Sequence, residues 1–136
     1  LFPYTTLFRS GEDGRSEAVL LLAAHGPDVL AGAIVTITGN YAYFLHGASS
    51  DRKRHLMASY ALHWEAMRYA RSRNCLVYDM GAVAPADFAD HEFYGLYRFK
   101  TGFGGRIVHR AGSWDFPLDD TAYSAFRNHE VLQSLG

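Results

Sequence analysis

Lys100 is the residue of this chain whose surroundings most invite chemistry. It lies in Glu92-Phe93-Tyr94-Gly95-Leu96-Tyr97-Arg98-Phe99-Lys100-Thr101-Gly102-Phe103-Gly104-Gly105, where aromatic residues crowd one ammonium ahead of a glycine-rich turn. Lysine is otherwise scarce, since only Lys53 and Lys100 stand against eleven arginines. An ammonium beside apolar rings is poorly solvated. Such a group suits anion binding, stabilisation of developing negative charge, or anchoring of a buried carboxylate. The plain alternative is a loop lysine whose stem lies over an aromatic core while its head reaches water.

Two further segments carry candidate chemistry. Tyr78-Asp79-Met80-Gly81 ends a predicted strand, and strand C-termini border the ligand crevice of open sheets. Asp79 can orient an amine there, pair with a cation such as Lys100, or cap a turn. Arg52-Lys53-Arg54 places three cations at the start of a predicted helix, the end where the dipole disfavours them. An anionic ligand would offset that cost, and a solvated charge run is the alternative.

Other chemistries find little support. None of the seven histidines is paired at a metal-ligand spacing: His55 and His63 are eight apart, and His91-Glu92 lies outside any zinc-helix motif. No metal is therefore expected. Cys75 opens a buried-looking strand and reads as a structural thiol, and no serine has a nucleophile-elbow context. No helix is expected after Gly102-Phe103-Gly104-Gly105, so this cluster reads as a tight turn rather than a phosphate cradle.

The elements that must position these residues follow from patterning. Ala18 to Ala24 and the β-branched run Val29 to Thr38 read as strands separated by the turn His25-Gly26-Pro27-Asp28. Gly39-Asn40 signals a hairpin into a third strand, Tyr41 to His46, completing an antiparallel meander. Gly47 to Asp51 supplies N-cap residues for a helix from Arg52 to Arg73, whose apolar face is read as Met57, Tyr60, Ala61, Trp64 and Met67, with Trp64 buried. Asn74 suits the left-handed position after that helix, and Cys75 to Asp79 is a short strand. Ala82 to Glu92 reads as a polar loop or irregular helix, Arg106 to Arg110 as a strand, and Gly112 to Leu118 as a turn or strand. Asp119 to Leu135 closes the chain as a helix capped by Asp119 or Asp120.

The 136 residues fit one domain, and 49% hydrophobic with 15% aromatic composition is that of a packed globule. No apolar run reaches the roughly 20 residues that span a bilayer, so no transmembrane segment is expected. Thirteen basic against fourteen acidic residues give a formal charge of −1, which argues against a dedicated nucleic-acid-binding module. The single cysteine excludes an internal disulfide and fits a reducing, cytoplasmic compartment. Residues 1–10, Leu1 to Ser10, resemble a peptide made when sequencing-adapter DNA is translated in frame. They are expected to be non-native and to contribute nothing to the core, leaving 11–136 as the domain.

Several of these segments together resemble a known family. His46-Gly47-Ala48-Ser49-Ser50, Trp64-Glu65-Ala66-Met67 with Ala70, Tyr78-Asp79-Met80-Gly81, the Tyr94-to-Gly105 block and Gly112-Ser113-Trp114-Asp115 occur in the order and spacing of the FemABX family. These are bacterial transferases that build peptidoglycan bridges from aminoacyl-tRNA. The resemblance covers about Ser16 to Gly136. It implies an α/β (α+β), GNAT-like fold with a mixed, mainly antiparallel sheet and flanking helices. It also implies that 11–136 is the second of two such domains, the first being missing.

By the same resemblance, the activity is transfer of an amino acid from its tRNA ester to an amino group of the stem peptide. The acceptor is lipid II or a UDP-MurNAc-peptide, with the enzyme working near the membrane surface, without a cofactor and with aminoacyl-tRNA as co-substrate. Carried over by position, Lys100 is the catalytic residue, Phe99 handles the aminoacyl-tRNA end with it, and Ser49 and Arg54 lie near the phosphate-bearing precursor. Tyr78 and Asp79 join them as substrate-binding candidates. Asn74 replaces the usual glycine at the helix end, and Ala58-Ser59 stands where a proline-asparagine pair is common. Two alternatives are an acyl-CoA-dependent N-acyltransferase of the same fold and a non-catalytic precursor-binding domain. Against the former, Gly47-Ala48-Ser49-Ser50-Asp51-Arg52 lacks the Arg/Gln-x-x-Gly-x-Gly/Ala loop of acyl-CoA enzymes.

Overall fold

Strand patterning and turn chemistry build most of the sheet. The computed structural model describes residues 2–8, 16–84, 88–112 and 114–134. Strands β1 (Phe2–Phe8), β2 (Ser16–His25), β3 (Asp28–Thr38), β4 (Tyr41–Ser49) and β5 (Val77–Asp79) form one sheet in that spatial order. β1 to β4 are antiparallel, and β5 returns parallel to β4 after a helix. Gly26 (φ +60) and Gly39 (φ +58) occupy the first central position of the two tight turns, where a type II′ hairpin requires positive φ. The expected meander and the α/β class with a mainly antiparallel sheet are the ones found.

Period-two alternation decides which face is buried. Val19, Leu21 and Ala23 on β2, Ala33, Val35 and Ile37 on β3, and Ala42 on β4 all point to one side, each at most 5% exposed. Helix α1 (Ala58–Ser72) covers that side with Leu62, Ala66 and Ala70, and His63 is buried beside them. Alanines every fourth residue let the helix backbone approach the sheet closely.

This stripe corrects the expected helix face. Trp64 is 61% exposed, and Met57 and Tyr60 are also exposed. Counting large apolar residues chose a face rotated away from the one that the small residues make packable.

The helix also begins six residues later than expected. Arg54–Leu56 is a single 3-10 turn, and Lys53 and Met57 both take φ +51. Arg52 and Lys53 reach Asp28 at 2.7 and 2.9 Å, tying this segment to the start of β3 instead of starting a helix. These two cations hold the Asp28 carboxyl below the usual carboxylate range. The C-terminal end is as read. Asn74 takes φ +60, its N–H reaches the Arg71 carbonyl (3.0 Å), and the Cys75 N–H reaches the Ala70 carbonyl (3.0 Å), a Schellman arrangement. Glu17 fixes the same end to β2, accepting from Arg73 Nε (2.9 Å), Arg73 Nη2 (3.2 Å) and the Tyr69 hydroxyl (3.2 Å).

One segment left without an element forms a strand, and one other reading changes. Phe2–Phe8, within the segment expected to contribute nothing, pairs with β2 in unbroken register from Phe2–Ala24 to Phe8–Ala18, because its aromatic and β-branched residues suit an edge strand. Leu1, Arg9 and Ser10 of that segment lie outside the described residues, as do Ser113 and Leu135 of later elements. Arg106 to Arg110 is not a strand: no ladder partner is present for it among the described residues, and an apolar run is extended stably only when paired.

The chain divides into two compact units, Leu1–Gly104 and Gly105–Gly136, where the sequence reading treated 11–136 as one. The first also contains α2 (Tyr94–Thr101). The second contains α3 (Asp120–Ser134), where Asp119 caps the helix by accepting from the Ala122 N–H at 2.9 Å, as expected. Among the described residues, no helix is long and apolar enough to cross a membrane.

Candidate functional site

Lys100 lies in the last turn of α2, not on a loop, and is 9% exposed. Its side chain therefore does not snorkel into water. Nζ donates to the Ala82 carbonyl at 2.7 Å and lies 6.0 Å from the centroid of the Phe44 ring. Burial pushes the ammonium below its ordinary pKa, and the Asp79 carboxylate pulls the other way. An ammonium has three donors, and the Ala82 carbonyl occupies one of them.

The walls come from four elements, α1, α2, β4 and β5. From α1, His63 is 4% exposed and packs against Phe44 of β4 (centroids 4.6 Å), Phe99 of α2 (5.3 Å) and Phe103 (5.8 Å). Tyr60, one turn earlier, meets Phe99 edge-on at 4.7 Å and stacks on Phe103 at 5.5 Å. From β5, the Tyr78 hydroxyl lies 3.0 Å from His63 Nδ1. Desolvation, with Lys100 adding to it, lowers His63 to a pKa of about 4, so its imidazole is neutral at physiological pH. Desolvation raises Tyr78, which keeps its hydroxyl protonated. Lys100 is thus the cation in a wall of rings whose nearest imidazole carries no charge.

Asp79 follows Tyr78 on β5. Its Oδ2 accepts from the Tyr41 hydroxyl of β4, and its Oδ1 accepts from the Gly81 N–H at 2.7 Å. Gly81 takes φ +74, and a Cβ there would sit 3.4 Å from the Tyr43 hydroxyl and 3.8 Å from Lys100 Nζ. The turn after β5 therefore lies beside the ammonium.

Of the residues singled out in the sequence, Lys100, Phe99, Tyr78 and Asp79 come together here. Ser49 and Arg54 do not join them by any hydrogen bond or ring contact described. Ser49 ends β4 opposite Ala31, and Arg54 is exposed and paired with Asp51 at 3.1 Å. Sequence reasoning missed His63, Tyr41, Phe44 and the Ala82 carbonyl. Only His63 carried a signal, since it adjoins the Ala58-Leu62-Ala66-Ala70 stripe that turns toward the sheet. Among the described residues, no group of three or more His, Cys, Asp or Glu side chains is placed to hold a metal.

This arrangement offers a positive, partly dehydrated donor in an apolar wall, with no serine or thiol among its contacts with the described residues. Such a donor stabilises an oxyanion formed when one bound substrate attacks another.

Comparison with known proteins places the chain. Residues 5–130 match the model of the FemAB family. The lipid II:glycine glycyltransferase of Staphylococcus epidermidis (strain ATCC 35984) is 34% identical over 94 residues, which is 69% of this chain and 23% of that protein. The enzyme of the same name from Staphylococcus haemolyticus is 33% identical over 104 residues, 76% of this chain and 25% of that protein. The crystal structure of FemX superposes with a TM-score of 0.62 at 31% identity, over 72% of this chain and 24% of that one. The chain thus spans about a quarter of the length of the curated relatives it matches. With the family model covering nearly all of it, and a solved member sharing its fold, the chain belongs to the FemAB family.

Proposed function

We propose that this chain is part of an aminoacyltransferase that moves an amino acid from aminoacyl-tRNA to an amino group on the stem peptide of a peptidoglycan precursor, lipid II or a UDP-MurNAc-peptide. Family membership and the glycyltransferase names of the relatives support the reaction class. The observation that carries the reading within the chain is the buried Lys100 ammonium, set beside the Phe44 ring and donating to the Ala82 carbonyl.

The acceptor amine attacks the ester carbonyl of the aminoacyl-tRNA. A C–N bond forms, and the carbonyl electrons move onto oxygen. Lys100 donates to this oxyanion. Collapse breaks the ester C–O bond, and the terminal ribose oxygen of the tRNA leaves with a proton derived from the attacking amine. A preorganised charged donor contributes about 3–4 kcal/mol to such a step. Phe99 and Tyr60 line the approach and exclude water that would hydrolyse the ester. Ser49 and Arg54 remain candidates for the precursor's phosphates, and the reaction takes place in the cytoplasm, where charged tRNA resides.

The test is to incubate the full-length protein with lipid II and charged tRNA, and separately with acetyl-CoA, and to weigh the products. Addition of an amino-acid residue to the stem peptide only with charged tRNA is expected. Acetylation in place of aminoacylation would refute the reading.

A further inference from the structure

Asp79 came out of the sequence as a substrate-binding candidate, and the contacts described for it lie within the protein. Both of its carboxylate oxygens are engaged inside the protein, Oδ2 by the Tyr41 hydroxyl and Oδ1 by the Gly81 N–H at 2.7 Å. Gly81 is turned to φ +74, a conformation that L side chains rarely adopt. The next residue, Ala82, presents the carbonyl that receives Lys100 Nζ at 2.7 Å. Tyr41 is itself fixed, because it pairs with Val77 where β5 joins β4. A continuous path therefore runs from the sheet through Tyr41, Asp79 and the Gly81 turn to the ammonium.

We infer that Asp79 is a positioning residue for Lys100: it locks the Gly81-Ala82 turn in the shape that holds the ammonium in place, and Tyr41 locks Asp79. The inference rests on the proposed role of Lys100 but concerns how that group is held. The titratable groups facing this region are Asp79 on β5 and His63 on α1, both coupled electrostatically to Lys100, and the Tyr43 hydroxyl on β4, beside the Gly81 turn. The Asp79 carboxylate both shapes the turn and favours the charged amine.

The scarcity of lysine makes a direct assay possible. A chain labelled with 15N only in lysine gives two side-chain signals, from Lys100 and from Lys53, and Lys53 is held separately by Asp28 at 2.9 Å. Tyr41→Phe removes one donor and almost no volume. It should speed exchange of the Lys100 ammonium protons about tenfold, the order expected for one lost hydrogen bond, with Lys53 unchanged. Asp79→Asn should lower the pH at which the Lys100 signal titrates, because the opposing charge is gone. In the full-length protein both variants should reduce kcat about tenfold and leave the acceptor KM unchanged. Unchanged Lys100 signals in both variants would overturn the inference. So would a rise in acceptor KM at constant kcat, which would return Asp79 to substrate contact. Altered Lys100 signals with undiminished transfer would uphold the positioning and refute the oxyanion role instead.

Discussion

His63 gives the most quantitative forecast. Its imidazole is buried among Phe44, Tyr78, Phe99 and Phe103, near the Lys100 ammonium, and desolvation lowers its pKa from the ordinary 6.5 to about 4. The unfolded chain therefore binds a proton at this residue before the folded chain does. The stability that comes from keeping His63 neutral is fully present above about pH 6.5 and is lost as the pH falls toward 4. With 1.36 kcal/mol per pKa unit, a 2.5-unit gap (6.5 minus 4) corresponds to about 3 kcal/mol in total, of which about 2 kcal/mol disappears between pH 7 and pH 5. The chain has six other histidines, so the comparison must be made against His63→Gln, which keeps a polar group for Tyr78 but cannot take up the proton. Urea unfolding at pH 7, 6 and 5 should show the wild-type chain losing about 2 kcal/mol more than the variant across that range. Parallel curves would show that His63 is not held neutral, and the description of the Lys100 wall would be wrong.

Three further outcomes follow from the packing. Glu17→Ala strips Arg73 and Tyr69 of their shared acceptor and should cost about 2 kcal/mol in urea unfolding; a loss below about 0.5 kcal/mol would mean the contact does not staple α1 to β2. Trp64→Ala should change stability by less than about 0.5 kcal/mol, because the ring is 61% exposed; a loss above 2 kcal/mol would restore the buried face first read from the sequence. Gly81→Ala forces a side chain into φ +74 and should cost about 1–2 kcal/mol by thermal unfolding, while Gly95→Ala, at a site with open space, should cost nothing measurable.

The meander was legible because its signals are local. Alternation in β2 and β3, glycine in each turn and Asn74 after α1 all depend on a residue's own backbone preferences. The face of α1 was not legible by the same means. Ala58, Leu62, Ala66 and Ala70 are mostly small, and smallness becomes an advantage only when a sheet lies opposite. The start of α1 was misplaced because Asp28, distant in sequence, claims Arg52 and Lys53. In the site, Lys100, Phe99, Tyr78 and Asp79 were visible from residue type, rarity and motif. His63 and Tyr41 were not, because each acquires its role from a partner more than ten residues away. A loop position for Lys100 was one of two alternatives left open by the sequence, and α2 completes two turns before the glycine cluster begins.

The central claim is that the Lys100 ammonium stabilises the oxyanion of aminoacyl transfer. Lys100→Met keeps the length and packing of the stem and removes the charge. Measured with charged tRNA and lipid II in the full-length protein, the single-turnover transfer rate should fall by about a hundredfold or more, with precursor affinity and thermal stability retained. A rate within about twofold of wild type, at unchanged affinity for both substrates, would contradict the account.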